Sequence, residues 1–353
     1  MKKSFISAVV LILLTVLVSC TNNITPPTDI IFEETSTSCI SSFESMGTII
    51  ELVFDKKDPK INQKEAAAQE MLELFNYYHI LTDNFEGYKD VNNVFHINEN
   101  PNVKLPIRKE LYDMLKLSED LKFYTEGYFD ISIGLIIDQW KDLLNLTKPN
   151  SEDLSKTLNK VAMIPVIKDG ILLEKDINDY FITIKNGVKI DLGAIAKGYV
   201  VNLANDIAKK HGFTYYTIKG SSSSVYYGKN SHKDRDFFNI GLSKPYFGYY
   251  GVISVKNTSV TTSGDDVQGV DINKVRYHHI VSPISKKPEN YRRMMTVVGV
   301  DAAISDALTT ALFNMPQDVF DKWIVKNPQS VVFLNTDETI QHFNMDDYSF
   351  RVQ

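Results

Sequence analysis

Apolar and polar positions follow several distinct periods along this chain. A mostly apolar run extends from Phe5 to Val18, shortly after Lys2 and Lys3. The stretch "SMGTIIELVF" is rich in β-branched and aromatic residues and predicts a strand. Helical spacing follows from about Gln63 to Tyr78 and from about Ile107 to Thr125. The segment "TEGYFDISIGLIIDQWKDLL" combines Gly127 and Asp130 with an apolar run ending at Trp140. After the Pro149-Asn150-Ser151 break come a helix and two short strands, "GILLEK" and "YFITIKN". The stretch "KIDLGAIAKGYVVNLANDIAKKHG", from Lys189 to Gly212, begins as a strand, turns at Gly193 and continues as an amphipathic helix. From Phe213 to Val300 short β-rich runs alternate with turn signals such as "GKNSHKDRD" and "TSGDD", which predicts hairpins. A last strand, "MMTVVGV", leads into the helix "DAAISDALTTALFNM". The pattern predicts an α+β fold of mostly antiparallel sheet packed with helices, with no internal repeat and no long linker.

Composition changes this picture mainly at the N-terminus. The basic start, the apolar run and the small residue before Cys20 have the form of a secretion signal, and Leu17-Val18-Ser19-Cys20 resembles a bacterial lipobox. The expected division is a signal peptide at 1–19, a lipidated Cys20 with a flexible Thr/Ser/Asn/Pro-rich tether over 20–43, and one domain over 44–353. A lipid on Cys20 implies attachment to a membrane at its extracytoplasmic face without spanning it. Cys39 is then the only other cysteine, so no intrachain disulfide framework is expected. Removing residues 1–19 deletes Lys2 and Lys3 and no acid, which takes the net charge from −6 to −8. That balance argues against a nucleic-acid partner, which needs a basic surface.

Three places carry candidate chemistry. Lys197 lies in the first turn of the 189–212 helix, off the apolar face made by Ile195, Tyr199, Leu203 and Ile207 with Ala196, Val200, Ala204 and Ala208. A cation at a helix N-terminus is mildly unfavourable unless an anion is near, so Asp191, the Gly193 turn and Lys197 together suit a phosphate or pyrophosphate. Asp306 and Thr310 are four residues apart on one helix, which points two hard oxygen ligands to one side, as Mg²⁺ requires. In "YHHIVSP", His278 and His279 are candidates for a general base. The chain has no HExxH, CxxC or G-x-S-x-G pattern.

The ordered set "MGT", "GYFD" before a tryptophan, "DLGAIAKGY", "TSGD", "HHIVSP" and "SDALTTALF", from Met46 to Met315, resembles the ApbE family of flavin transferases. The resemblance implies an ApbE-like, T-fold-like architecture. It also implies Mg²⁺-dependent transfer of FMN from FAD to a Thr or Ser of a target protein, with release of AMP. In the family pattern Met46, Tyr128, Phe129, Asp130, Asp191, Lys197 and Ile280 match FAD contacts. Asp306, Thr310 and the Ala194 carbonyl match the metal site, and His279 matches the motif histidine, with His278 competing for the role of base. The expected partners are FAD, an acceptor protein and a membrane. Three departures stand out: Ser221 to Ser223 replace a glycine pair followed by Asp or Asn, Ser282-Pro283-Ile284-Ser285-Lys286 replaces an Asp-Pro-x-Thr-Gly turn, and Asn202 replaces a frequent Asp. The alternatives are FAD hydrolysis to FMN and AMP, a lipoprotein that only binds flavin, and a solute-binding lipoprotein.

Overall fold

The computed structural model describes residues 29–353, so the signal segment 1–19 and Cys20 lie outside the described residues. Among the described residues the main sheet has nine strands, and their order across the sheet is their order along the chain: Ile31–Glu34, Ser38–Ser45, Thr48–Asp55, Tyr216–Lys219, Ser224–Tyr227, Thr258–Gly264, Arg292–Gly299, Ser330–Asn335 and Ile340–Phe343. Every neighbouring pair is antiparallel. The predicted α+β class is observed. Between Asp55 and Tyr216 the chain leaves the sheet and supplies six α-helices and a small three-stranded sheet made by Leu105–Ile107, Ile171–Asp176 and Asp179–Ile184.

The tether expected over 20–43 is corrected where the structure describes it. Ile31–Glu34 and Ser38–Ser45 are strands, and Ser38–Ser45 pairs along its whole length with Thr48–Asp55. Its alternation buries Cys39, Ser41, Phe43 and Ser45. Serine-rich composition concealed that period-two pattern, because small hydroxyl residues occupy half of the buried positions. Cys39 is a free, buried thiol. The Ser45–Thr48 pair closes on a two-residue turn in which Met46 and Gly47 have φ of 52° and 68°. Two positive φ values are the signature of the turn whose twist matches a hairpin.

The central strands are covered on both faces, which explains their continuous apolar sequence. In Arg292–Gly299, Met295 and Val297 join the core under the helices, whereas Met294 and Val298 join a second core beneath Phe238–Ser243 and Tyr249–Val255. The helices Lys64–Thr82, Ala196–Lys210 and Ala302–Asn314 pack on the first face. Along Ala196–Lys210 the deepest rows are Ala196, Val200, Ala204 and Ala208 with Val201 and Asn205, and Tyr199, Leu203 and Ile207 flank them half-buried.

The strand expected at the start of the 189–212 stretch is corrected as well. It forms one parallel bridge, Ile133 with Lys189, rather than a ladder. The Asn98 amide takes the place of a neighbouring strand: its oxygen accepts from the Ile190 N–H at 2.7 Å and its nitrogen donates to the Ile190 carbonyl at 3.0 Å.

Gly198 sets the distance between the two helices that carry Lys197 and Asp306. A Cβ there would lie 2.2 Å from the Ala302 carbonyl oxygen and 2.6 Å from Asp306 Cβ. Both are backbone or near-backbone atoms, so relief requires the helices to separate. Gly198→Ala is expected to destabilise the protein by about 1–3 kcal/mol. The check is a fall in the urea midpoint at unchanged slope, and an unchanged midpoint would show that the helices are not in close contact here.

Candidate active site

The helix Ala196–Lys210 begins with backbone N–H groups that have no acceptor within the helix. One of them, on Gly198, donates to Asp306 Oδ2 at 2.9 Å. A carboxylate from the helix Ala302–Asn314 therefore caps the first turn of its neighbour, in the position where the helix dipole favours negative charge. Asp306 is only 7% exposed. Burial pushes its carboxyl up to about 6, against the opposing pull of the Lys197 charge and the Gly198 N–H. Lys197 is half-buried, with its Nζ 3.5 Å from the Gly193 carbonyl. Thr310 follows Asp306 by one helical turn and is half-buried, as is Ala194. The adjacent Thr309 is fully buried: its Oγ1 donates to the Asp306 carbonyl at 2.7 Å and accepts from Ser263 Oγ at 2.9 Å. That contact ties the "TSGD" stretch to the Asp306 helix.

The two histidines differ sharply. His278 is fully buried, with its ring edge-on to Phe313. Its Nε2 donates to the Glu289 carbonyl at 3.1 Å and its Nδ1 accepts from the Ile280 N–H at 3.3 Å, so both nitrogens are committed. Burial lowers its imidazole to about 4. His279 is exposed by surface area, and its Nδ1 donates to the Gln268 carbonyl at 3.3 Å. This tautomer leaves Nε2 as the acceptor. The surrounding protein, which disfavours the charged ring, and the charges of Lys197 and Lys141 hold His279 below its ordinary value. Of the pair, His279 has the geometry of a base.

Asp191 is buried, and its two oxygens have separate partners. Oδ1 accepts from the Gly193 N–H at 2.8 Å, and Oδ2 accepts from Lys141 Nζ at 2.8 Å and from Asn84 Nδ2 at 3.3 Å. Burial alone would raise its carboxyl, but Lys141 and the Gly193 N–H outweigh it and hold the group below the usual range. Asp130 is buried and similarly engaged, by Ser132 through its N–H at 2.8 Å and hydroxyl at 2.6 Å and by Lys122 at 2.9 Å. Phe129 and Ile280 are core residues whose side chains pack inward. Met46 and Tyr128 are half-buried, Met46 at the hairpin turn and Tyr128 after the Glu126-Gly127 turn. Ser221, which stands where the family has a glycine, is held at φ 131°, a conformation that favours glycine.

The structure thus brings Lys197 and Asp306 to one helix start, with Thr310 one turn further along the Asp306 helix, Ala194 just ahead of the Lys197 helix, and the Lys197 charge acting on His279. Lys141, Asn84, Gln268 and Gly198 escaped the sequence reading. Only Gly198 left a signal, as a glycine inside a helical pattern. A surface cavity of about 520 Å³ beside Tyr246, Asp265, Arg276 and Arg293 contains none of the predicted site residues.

Among the described residues no group of three or more His, Cys, Asp or Glu side chains is placed to hold a metal ion. A cation at Asp306 would instead use a single carboxylate, the Thr310 hydroxyl and a backbone carbonyl, completed by water and substrate oxygens. That donor set fits Mg²⁺, and the raised carboxyl of Asp306 marks a buried acid lacking sufficient positive charge around it.

Two opposing pH effects follow. Asp306 binds its proton more tightly folded than unfolded, so its contribution favours folding below about pH 4 and is lost as the pH rises towards 6. His278 binds its proton less tightly when folded, so its contribution is present above about pH 6.5 and is lost as the pH falls towards 4. Each is worth about 3 kcal/mol. In the absence of divalent cations Asp306→Asn should leave only the second effect, so the variant should lose more stability than the parent between neutral and acid pH. Urea titrations across this range test it; parallel pH profiles would show that Asp306 is not a strained acid.

The ApbE family model matches residues 46–334. The chain is 24% identical over 218 residues to the FAD:protein FMN transferase of Klebsiella pneumoniae strain 342, covering 59% of this chain and 63% of that relative. The matched part thus spans just under two thirds of that relative's length. The fold superposes on the crystal structure of the ApbE protein of Thermotoga maritima with a TM-score of 0.72 at 25% identity, covering 90% of this chain and 97% of the other. On the flavin transferase ApbE of Vibrio cholerae the TM-score is 0.70 at 20% identity, covering 90% and 97%. With the family model spanning most of the chain and the fold agreeing over nearly all of it, this protein belongs to the ApbE family.

Proposed function

We propose that the protein transfers FMN from FAD to a Thr or Ser hydroxyl of an acceptor protein, releasing AMP. The observation that carries this reading is the capping of the Lys197 helix by the buried Asp306 carboxylate, which sets a cation beside a buried metal-type oxygen at one helix start. A pyrophosphate is the part of FAD that such a point suits.

His279 Nε2, with its ring oriented by the Gln268 carbonyl, accepts the proton of the acceptor hydroxyl. The hydroxyl oxygen bonds to the FMN phosphorus, the bond from that phosphorus to the bridging oxygen breaks, and AMP departs with that oxygen. Lys197 offsets negative charge on the phosphate oxygens as it accumulates. Asp306, Thr310 and the Ala194 carbonyl would hold Mg²⁺, which when bound supplies Lewis-acid neutralisation of the pyrophosphate. Met46, Tyr128, Phe129, Asp130, Asp191 and Ile280 would build the surrounding FAD site. Since the side chains of Phe129 and Ile280 face the core and Asp130 is engaged internally, direct contacts fall to Met46, Tyr128 and the Asp191 region.

Lipidation of Cys20 would place this activity at the extracytoplasmic face of a membrane, with residues 21–30 as the link to the first strand. Among the described residues no helix is long and apolar enough to cross a membrane.

The soluble body, incubated with FAD, Mg²⁺ and an acceptor protein, should yield flavin fluorescence that survives denaturing electrophoresis, with AMP in equal amount. Asp306→Ala should lower metal-dependent turnover by about a hundredfold or more. AMP with free FMN and no labelled protein would assign hydrolysis instead. The absence of any FAD turnover would leave a flavin-binding protein and sink the enzymatic reading.

A further inference from the structure

Lys141 has entered so far only as the partner of Asp191 and as a charge that lowers His279, yet its placement is tightly built. It lies on the helix Gly134–Leu144 directly after Trp140, whose ring is fully buried and stacked on Tyr277 at 5.7 Å with 12° between planes. The Trp140 indole N–H donates to the Lys286 carbonyl at 2.9 Å. Tyr277 is two residues before His279 on the same chain segment. The stack therefore fixes the helix that carries Lys141 against the strand leading to His279.

Asp191 completes the arrangement. A buried carboxylate presented to a ligand would normally be an acceptor. Here Oδ1 is occupied by the Gly193 N–H, and Oδ2 by Lys141 Nζ and Asn84 Nδ2. What the pair offers outward is the ammonium. Lys141 is 38% exposed beside a partner that is 8% exposed, and only one of its three N–H donors is used by Asp191. A pair with one buried member is held more firmly than a surface ion pair, whose members sample many geometries. Lys197, on a different helix, places its Nζ 3.5 Å from the carbonyl of Gly193, whose N–H is held by the same Asp191, so two lysines from two elements converge on one turn.

We infer that Lys141 is a second cationic contact for the phosphates of the flavin substrate, held in place by Asp191. This rests on the proposed function, because it needs FAD to lie at the Lys197 helix start. The ligand chemistry is an anionic diphosphate bridging two ammonium groups, which charge-assisted hydrogen bonds recognise. On this assignment Asp191 is a positioning residue and Lys141 touches the substrate.

The test is binding in the absence of divalent cations, read by quenching of flavin fluorescence, with FAD and riboflavin as the two probes. Lys141→Gln keeps a donor for Asp191 but removes the charge. It should weaken FAD binding by about ten- to a hundredfold and leave riboflavin, which has no phosphate, within about twofold of the parent. Lys141→Arg should retain most of the FAD affinity. Unchanged FAD affinity in Lys141→Gln would overturn the inference, and so would an equal loss for riboflavin, which would mean that Lys141 acts only by shaping the site. If Lys141→Gln does not fold, the Lys141→Gln/Asp191→Asn double variant leaves no unpaired buried charge, and its ratio of FAD to riboflavin affinity reads the same quantity. A parent protein that binds neither flavin would sink the proposed function itself; a parent that binds FAD beside an unaffected Lys141→Gln would sink this inference alone.

Discussion

A carboxylate buried at the crossing of two helices is unfavourable unless donors meet it, and the site is built around that constraint. Asp306 can sit where it does because Gly198 lets the helix Ala196–Lys210 approach the backbone of Ala302 and because the Gly198 N–H is free to donate. The glycine removes the steric obstacle and supplies the hydrogen bond at once. The same contact sets Lys197, the residue before Gly198, beside Asp306. Burial raises the Asp306 carboxyl, and a cation bound there would offset that cost.

Other elements deliver the remaining groups by packing that is itself unremarkable. Thr309 and Ser263 join the Asp306 helix to the sheet. Trp140 on Tyr277, with Lys286 accepting from the indole, joins the Gly134–Leu144 helix to the segment carrying the histidines. The departures from the family pattern are absorbed locally. Ser282 and Lys286 form a turn in which the Lys286 N–H donates to the Ser282 carbonyl at 2.8 Å and the Lys286 ammonium donates to the Ile164 carbonyl at 2.7 Å. Lys286 at φ 61° and Ser221 at φ 131° both keep a glycine-like φ, and Ser221 bonds Ser223 Oγ at 2.7 Å. The backbone course survived at both positions although the residue that suits it did not.

How much was legible in the sequence depended on whether a period or a pairing carried the information. The helices Lys64–Thr82, Lys109–Tyr124 and Ala302–Asn314 follow from apolar spacing, and the antiparallel class follows from short β runs between turn signals. The strand Ser38–Ser45 was hidden because serine fills half of its buried positions, and Lys189–Leu192 resembled a strand although it makes a single bridge, to Ile133, beside the Asn98 side chain that binds Ile190. At the site, Lys197, Asp306 and Thr310 were visible as chemistry out of place on their helices. The choice between His278 and His279 was not, since it turns on two carbonyls, of Glu289 and Gln268, that only the folded chain brings near. Lys141 was illegible for the same reason: its partner, Asp191, is fifty residues away.

The central claim is that Asp306 and Thr310, set by Gly198 against the Lys197 helix, form the cation site beside the FAD pyrophosphate. Anomalous diffraction from crystals of the protein soaked with Mn²⁺ and FAD measures this directly. The account predicts a manganese peak between the Asp306 carboxylate and the Thr310 hydroxyl, in contact with a phosphate oxygen. Ordered FAD with manganese bound elsewhere, or with none at Asp306, would contradict it.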